Sequence, residues 1–126
     1  LNVTLTLAST DVTSDTLSMT VTDSLTTGQY ATGISRTTVT TVGANNIIQP
    51  RTDGQTYYLY VKHTGTSDGS TAVTTTLNVE LTGDVIVGKL AAGEFCFIPI
   101  GGHSLGAQLQ SSSGNIVAEY AYFVKG

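Results

Sequence analysis

Two short glycine-containing strings are the places in this sequence where residue types and spacing could support catalysis. The first is Gly102-His103-Ser104-Leu105-Gly106, which matches the G-x-S-x-G pattern of a nucleophilic serine held between a strand and a helix. Such a serine needs an acidic residue and a histidine from later in the chain, yet no histidine follows Ser104, and Glu119 is the only later carboxylate. We therefore interpret the string as a turn between two strands, with positive φ angles supplied by Gly101, Gly102 and Gly106.

The second string runs from Gly83 to Leu90 and matches the G-x-x-x-x-G-K pattern of a phosphate-binding loop. A phosphate loop needs Ser or Thr directly after the lysine to bind Mg²⁺, and a helix whose first amides meet the phosphates. Here Leu90 follows Lys89, and the interior Val85-Ile86-Val87 is typical of a strand. We interpret this match as a coincidence.

The remaining candidates for chemistry are isolated histidine, cysteine and aspartate residues. His63, His103 and Cys96 lack the paired spacing of a zinc site, so a solvated histidine and a buried free cysteine are the simpler interpretation. The aspartates show no EF-hand spacing, and Asx turns explain them without Ca²⁺; they are Asp11, Asp15, Asp23, Asp53 and Asp68. The sequence therefore predicts no catalytic residue, no cofactor and no metal site, and we expect a protein that is not an enzyme.

The composition fits either a plain β-sandwich or a protein that packs against neighbouring β surfaces. Only 11% of the 126 residues are charged, and the polar positions are filled by 23 Thr and 11 Ser. Low charge reduces the desolvation cost of burying a surface in an interface. The formal charge of −4, with five basic residues scattered along the chain, argues against nucleic acid as a partner. No apolar run approaches the length of a membrane span, so we expect no membrane partner.

Alternation of apolar and polar residues predicts β-strands along the whole chain. Leu1, Val3, Leu5 and Leu7 point one way in the first strand, and Val73 to Leu81 repeats the pattern. Three segments are apolar on both faces, which predicts central strands or strands covered by a partner; they are 57–63, 94–100 and 115–124. Residues 104–110 are the only candidate for a helical turn. Turn residues recur every 8 to 14 positions or so, which predicts one domain over 1–126, an antiparallel β-sandwich or jelly roll of about eight to ten strands.

The C-terminal half resembles small β-sandwich virion structural proteins of tailed bacteriophages, of the capsid decoration or cement type. The resemblance covers residues 56 to 126 and is carried by the strings Thr-Tyr-Tyr-Leu-Tyr-Val-Lys-His-Thr at 56–64, Leu-Ala-Ala-Gly-Glu-Phe-Cys-Phe-Ile-Pro-Ile at 90–100 and Val-Ala-Glu-Tyr-Ala-Tyr-Phe at 117–123. It implies a protein made in the host cytoplasm that decorates a capsid, or belongs to a tail or fibre. It also implies a symmetric oligomer with no active site.

The candidate interface residues lie in the first strand and among the tyrosines, although core packing is the simpler interpretation of the tyrosines. The first strand, from Leu1 to Ala8, carries no charge that would protect an exposed edge, so it is either central in its own sheet or completes a neighbour's. We expect a homo-oligomer, with a trimer favoured, and the major capsid protein or another virion protein as partner. An alternative is a carbohydrate-binding or adhesin-like module. The interface candidates are Leu1, Val3, Leu5, Tyr58, Tyr60, Tyr120 and Tyr122.

Overall fold

The computed structural model describes residues 1–11, 14–28, 33–42, 45–50, 54–101 and 106–126. In these ranges the chain forms ten β-strands and no helix: β1 (Asn2–Ser9), β2 (Leu17–Ser24), β3 (Ser35–Val39), β4 (Asn45–Ile48), β5 (Tyr57–His63), β6 (Leu77–Leu81), β7 (Val85–Leu90), β8 (Phe95–Ile100), β9 (Ala107–Ser111) and β10 (Ile116–Val124). Every pairing between these strands is antiparallel. The predicted all-β antiparallel class is confirmed.

Strands β3 to β10 form two four-stranded sheets. Sheet I has the order β3-β10-β5-β8, and sheet II has the order β4-β9-β6-β7. The pairs β3/β10, β4/β9, β5/β8 and β6/β7 make one long antiparallel ribbon that ends at the β6–β7 turn. The ribbon folds so that successive pairs alternate between the two sheets. This is the arrangement of a jelly roll, one of the two architectures that the strand pattern predicted.

The core lies between the inner faces of the two sheets. Since successive side chains of a strand point to opposite faces, every second residue of each strand enters it. Leu59 and Val61 of β5 meet Leu77 and Val79 of β6, and none of these four side chains is exposed. The predicted inward direction of Leu77 and Val79 is confirmed, although this strand begins at Leu77 and not at Val73. Residues before it belong to a loop, in which the Val73 amide donates to the Gly65 carbonyl at 2.9 Å.

Strands β1 and β2 form a separate two-stranded sheet, which we term the N-terminal hairpin. Within the described residues, β1 pairs with β2 along its whole length, and neither strand joins sheet I or sheet II. Its base is closed by two hydrogen bonds: Leu25 N donates to Leu1 O at 2.8 Å, and the terminal Leu1 nitrogen donates to Leu25 O at 3.0 Å. The next residues are attached to the end of β10: Gly28 N donates to Val124 O at 2.8 Å, and Gly126 N donates to Thr26 O at 3.1 Å. The hairpin is therefore connected to the jelly roll at the junction of Leu25 and Thr26, which we term the hinge.

The strand order bears on three segments whose position the sequence left open. Of the two positions considered for the first strand, a central place in its own sheet is excluded within the described residues, where β1 has β2 as its single neighbour. Of the three segments that are apolar on both faces, β5 and β10 are central in sheet I, whereas β8 lies at its edge within the described residues, since sheet order depends on the path of the ribbon and not on local hydrophobicity. For β8, a face covered by a partner stays a prediction. The segment 104–110, the candidate for a helical turn, is not helical in its described part, where residues 107–110 belong to β9. Their amides pair with β4 and β6 instead of with each other.

Candidate functional site

The outer face of sheet I carries a cluster of aromatic rings, which we term the aromatic face. Its residues are Tyr58 and Tyr60 of β5 and Phe95, Phe97 and Pro99 of β8. Strand alternation sends Leu59 and Val61 into the core and leaves the two tyrosines on the opposite face, next to their β8 partners. Tyr58 stacks on Phe97 with ring centroids 5.9 Å apart and planes 11° apart, and Tyr60 lies 6.5 Å from Phe95. The Phe95 side chain remains 62% exposed.

Polar groups surround the aromatic face and fix its orientation. The Lys125 Nζ lies 4.9 Å from the centroid of the Tyr58 ring, close enough for a cation–π interaction. The Tyr60 hydroxyl donates to Glu119 Oε1 at 3.2 Å, while Arg36 donates from two nitrogens to Glu119 Oε2, each at 3.2 Å. Partial burial raises the pKa of the Tyr60 phenol, and the nearby Glu119 carboxylate raises it further by its charge and by accepting a hydrogen bond from the neutral phenol. Tyr60 is thus held as a neutral donor.

One side of the N-terminal hairpin carries a row of apolar side chains, which we term the hairpin face; on the same side, Asp23 lies opposite Val3 near the base. The register places Leu5 opposite Val21 and Leu7 opposite Met19, so the four side chains form a single patch that Val3 extends toward the base. Leu5, Leu7, Met19 and Val21 are 46%, 42%, 40% and 52% exposed. Soluble monomers seldom leave contiguous apolar patches of this kind open to water.

The hairpin face and the aromatic face lie on the two sides of an open groove of about 840 Å³. The hairpin lines it with the apolar Val3, Leu5, Val21 and Leu25 and with the polar Thr4 and Asp23, and sheet I lines it with all residues of the aromatic face and Cys96. Because protein interiors are packed with few voids larger than a water molecule, a space of this size marks two apolar surfaces that are close but not closed upon each other. The groove can accept an apolar group or another β surface.

The total surface of the chain agrees with this open arrangement. The protein exposes 7261 Å². A compact monomer of 13.1 kDa exposes roughly 6,400 Å². The excess is roughly 900 Å², close to the ~800 Å² per partner that a standard protein–protein interface buries.

The predicted interface residues separate into two groups. The fold brings five of them to the two sides of one groove or to its end. These are Leu1, Val3 and Leu5 on the hairpin, and Tyr58 and Tyr60 on the aromatic face. The remaining two, Tyr120 and Tyr122, point into the sandwich and pack against the core. The Tyr122 ring meets the buried Tyr57 ring edge-on at 5.8 Å.

The sequence reasoning did not single out the β8 residues of the groove or the β2 side of the hairpin. Phe95, Phe97 and Pro99 alternate within 94–100, a signal that could have placed them together, but pairing them with Tyr58 and Tyr60 requires the strand order. Met19 and Val21 alternate in the same way, but they join Leu7 and Leu5 only through the register of the hairpin, in which Leu5 lies opposite Val21 and Leu7 opposite Met19.

The two glycine strings have structural explanations where they are described. Residues 102–105 of the first lie outside the described residues. The expectation of positive φ is wrong for Gly101 and Gly106, which are absent from the positive-φ positions of the chain. Gly106 is instead required by close packing, because a Cβ there would overlap the Ile48 carbonyl oxygen and lie 2.8 Å from Pro50 N. In the second string, residues 85–90 form β7 as predicted, after a turn with positive φ at Gly83 and Asp84.

The isolated ionisable residues serve local structure. His63 is completely buried, which corrects the expectation of a solvated histidine: its Nε2 donates to Thr75 O at 2.8 Å, and its Nδ1 accepts from Gly65 N at 2.9 Å. Cys96 is half-buried, and this burial raises the pKa of its thiol. His103 and Asp53 lie outside the described residues.

The aspartate of the 65–72 loop forms the Asx turn that was predicted for it. Asp68 Oδ1 accepts from the amides of Ser70 and Thr71 at 2.9 and 2.7 Å, and these bonds hold the pKa of its carboxyl well below the usual range. Among the described residues, no three His, Cys, Asp or Glu side chains are grouped so that they could hold a metal ion.

One buried polar cluster was not anticipated. Glu80 and Gln108 are 1% and 3% exposed, and the Gln108 amide donates to Glu80 Oε2 and to Asp84 Oδ1, each at 2.9 Å. The amide thereby fixes the β6–β7 turn against β9.

Comparison with known proteins identifies no relative of this chain. No model of a protein family matches the chain, and neither a curated protein nor a solved structure matches it. Within the described residues, no helix has the length and apolar character needed to cross a membrane.

Proposed function

We propose that the chain is a non-enzymatic structural protein that assembles through exposed β surfaces, specifically a decoration or cement protein of a tailed-phage capsid. The observation that carries the proposal is the pair of facing apolar surfaces, the hairpin face and the aromatic face, left open in a protein with only 11% charged residues. Surfaces of this kind are covered in the functional state of a soluble protein. A partner that supplies β structure of low charge would bury them without desolvating many ions.

Two further features support the virion assignment. The jelly roll occurs in many viral capsid domains, although a fold by itself does not specify a function. The strings at 56–64, 90–100 and 117–123, which resemble phage decoration proteins, correspond to β5, β8 and β10, the strands around the aromatic face. The proposed partners are therefore other copies of the chain and a capsid protein.

The proposed assembly is tested by the mass of the purified protein in solution. Multi-angle light scattering over a range of concentrations should give an oligomer, with a trimer favoured, and a mass that falls on dilution. A particle that stays monomeric at every concentration, and also fails to bind particles of the phage that encodes it, would remove the basis of the proposal.

The virion assignment is tested on those phage particles. Heads that lack the protein should lose their DNA at a lower temperature than complete heads, and adding the purified protein should restore the difference. Antibody labelling in the electron microscope should mark the head. Labelling of the tail or fibre would support the alternative that the protein belongs to those structures.

A carbohydrate-binding module is the second candidate, favoured by the exposed Phe95 ring beside Tyr60. Jelly rolls also include lectins, and sugars stack on open aromatic rings. It ranks second because the Tyr58 ring is already contacted by Phe97 and Lys125. Glycan-array binding that is lost in Phe95→Ala but kept in Tyr120→Phe would favour this function over the structural one.

A further inference from the structure

We infer that copies of this chain exchange their N-terminal hairpins, so that the hairpin of one copy lies on the aromatic face of another and closes the groove. The inference rests on the proposed assembly and names its contact: residues 1–25 of one copy against β5 and β8 of the next. The occupant of the groove is thus a second copy of this chain.

The attachment of the hairpin permits such an exchange. Its backbone pairing is internal, between β1 and β2, so no ladder of sheet I or sheet II breaks when the hairpin moves. The bonds of residues 26–28 to β10 keep the hinge at Leu25 in place while the hairpin swings about it. An isolated two-stranded hairpin is marginally stable in water, so it needs an apolar surface to pack on.

The groove indicates that the hairpin's own chain does not supply a close fit. The two apolar faces are held near each other but enclose about 840 Å³ of open space between them. A hairpin from another copy is not restricted by this hinge and can settle directly on the rings. Exchange therefore closes the groove with the same residues that line it now.

A β surface fits the apolar patch better than a small molecule does. The groove ends before Leu7 and Met19, which do not line it, yet these side chains continue the hairpin face and are 42% and 40% exposed. A ligand inside the groove would leave both in water. A hairpin lying along the sheet of a neighbour would cover the whole face, about 20 Å long at ~3.3 Å per residue.

The charges of the two surfaces are complementary. Residues 1–25 contain three aspartates and no Lys or Arg. The outer side of sheet I carries Arg36, Lys62 and Lys125 against one carboxylate, Glu119, by strand alternation and register. Opposite charges around an apolar centre favour docking in one orientation and oppose contact between two hairpins. The excess surface of roughly 900 Å² is also enough for one standard interface.

Cysteine cross-linking between differently tagged copies tests the exchange. In a Cys96→Ser background, one chain carries Leu5→Cys and another carries Phe97→Cys; the two are unfolded together, refolded, and treated with a short bismaleimide linker. We expect a covalent dimer that carries both tags. A single chain with both substitutions should likewise give mostly intermolecular products. The matched control replaces Leu5→Cys with Thr6→Cys, which points away from the groove and should give at least tenfold less product.

The outcomes separate this inference from the proposed function. An oligomer by light scattering whose doubly substituted chain links only within itself keeps the proposed assembly and overturns the exchange. A monomer at every concentration overturns both the oligomer and the exchange. A monomer that binds the apolar dye 1-anilinonaphthalene-8-sulfonate at one saturable site, lost in Leu5→Lys, would make the groove a small-molecule site and would also overturn the exchange.

Discussion

Replacement of Gly106 by alanine tests whether this glycine of the G-x-S-x-G string serves packing. Gly106 is buried where β9 begins, beside the end of β4. A Cβ at this position would overlap the carbonyl oxygen of Ile48 and lie 2.8 Å from Pro50 N and 2.9 Å from the carbonyl carbon of Gln49. All three are backbone atoms, so the clash cannot be relieved by a change of side-chain rotamer.

The loss of stability depends on which backbone atoms must move to make room for the Cβ. Residue 106 is held on its other side by Thr82, whose hydroxyl accepts from Gly106 N at 3.1 Å and whose amide donates to Gly106 O at 3.2 Å. Moving Gly106 loosens these bonds, worth about 0.5–1.5 kcal/mol each, and moving Ile48 strains the β4–β9 pairing. Overpacking typically adds about 1–3 kcal/mol, while the lower chain entropy of unfolded alanine returns about 0.4–1 kcal/mol. We expect Gly106→Ala to lower the free energy of unfolding by about 2–3 kcal/mol.

Urea unfolding followed by circular dichroism measures this loss. The melting temperature should fall by about 10 °C for a domain of this size. The matched control is Gly101→Ala, where a Cβ would meet nothing within 4 Å and φ is not positive, so its stability should stay within about 0.5 kcal/mol of the parent. If Gly106→Ala is as stable as Gly101→Ala, the close approach of β4 and β9 is wrong.

Three further substitutions probe the hairpin face, the buried histidine and the Asx turn. Leu5→Lys should weaken self-association at least tenfold by light scattering, because it places a charge on the apolar face; Thr6→Lys, on the opposite face, should leave the mass unchanged. His63→Leu leaves the Thr75 carbonyl and the Gly65 amide without their partner and should cost about 2–4 kcal/mol in urea unfolding.

The Asp68 carboxylate is favoured in the fold, so the order that it gives its loop is present above the unfolded pKa of about 3.9 and is lost only as the pH falls through the much lower folded pKa. The amide chemical shifts of Ser70 and Thr71 should therefore hold down to about pH 3, whereas Asp68→Ala should shift them at every pH; a midpoint near 3.9 would contradict the Asx geometry.

The side of a strand on which each side chain lies was predictable from the sequence, because it depends only on local alternation. Alternation alone identified the inward side of Leu77 and Val79 and showed that Tyr58 and Tyr60 share one face, but not that this face points outward. Position within a sheet was not predictable in the same way. Residues 95–100 are apolar on both faces, which resembles a central strand, yet β8 is an edge whose outer rings are exposed. An uncovered apolar strand and a buried one have the same composition, so the sequence cannot distinguish them.

The burial of His63 was not predictable, because it depends on contacts with a loop and not on the local sequence pattern. His63 follows Lys62 at the end of a strand, a position that suggests solvent. The loop 65–76 folds back over it, and the Gly65 amide and the Thr75 carbonyl satisfy both of its ring nitrogens. The enclosure arises from a loop of Thr, Ser and Gly residues, whose path is set by its own hydrogen bonds and not by hydrophobic periodicity.

For the N-terminal hairpin, the sequence pattern and the fold lead to the same conclusion. Together they explain why the groove is relevant to function. Its alternating leucines require a surface to pack on, and the uncharged first strand lacks the charges that usually protect an edge. Attachment to either sheet would have satisfied that requirement within one chain. The jelly roll leaves the hairpin outside both sheets, attached by a short hinge and facing rings that it does not cover. Because a two-stranded sheet gains most of its stability from the surface on which it packs, the order of the hairpin and the assembly of the protein should increase together with concentration.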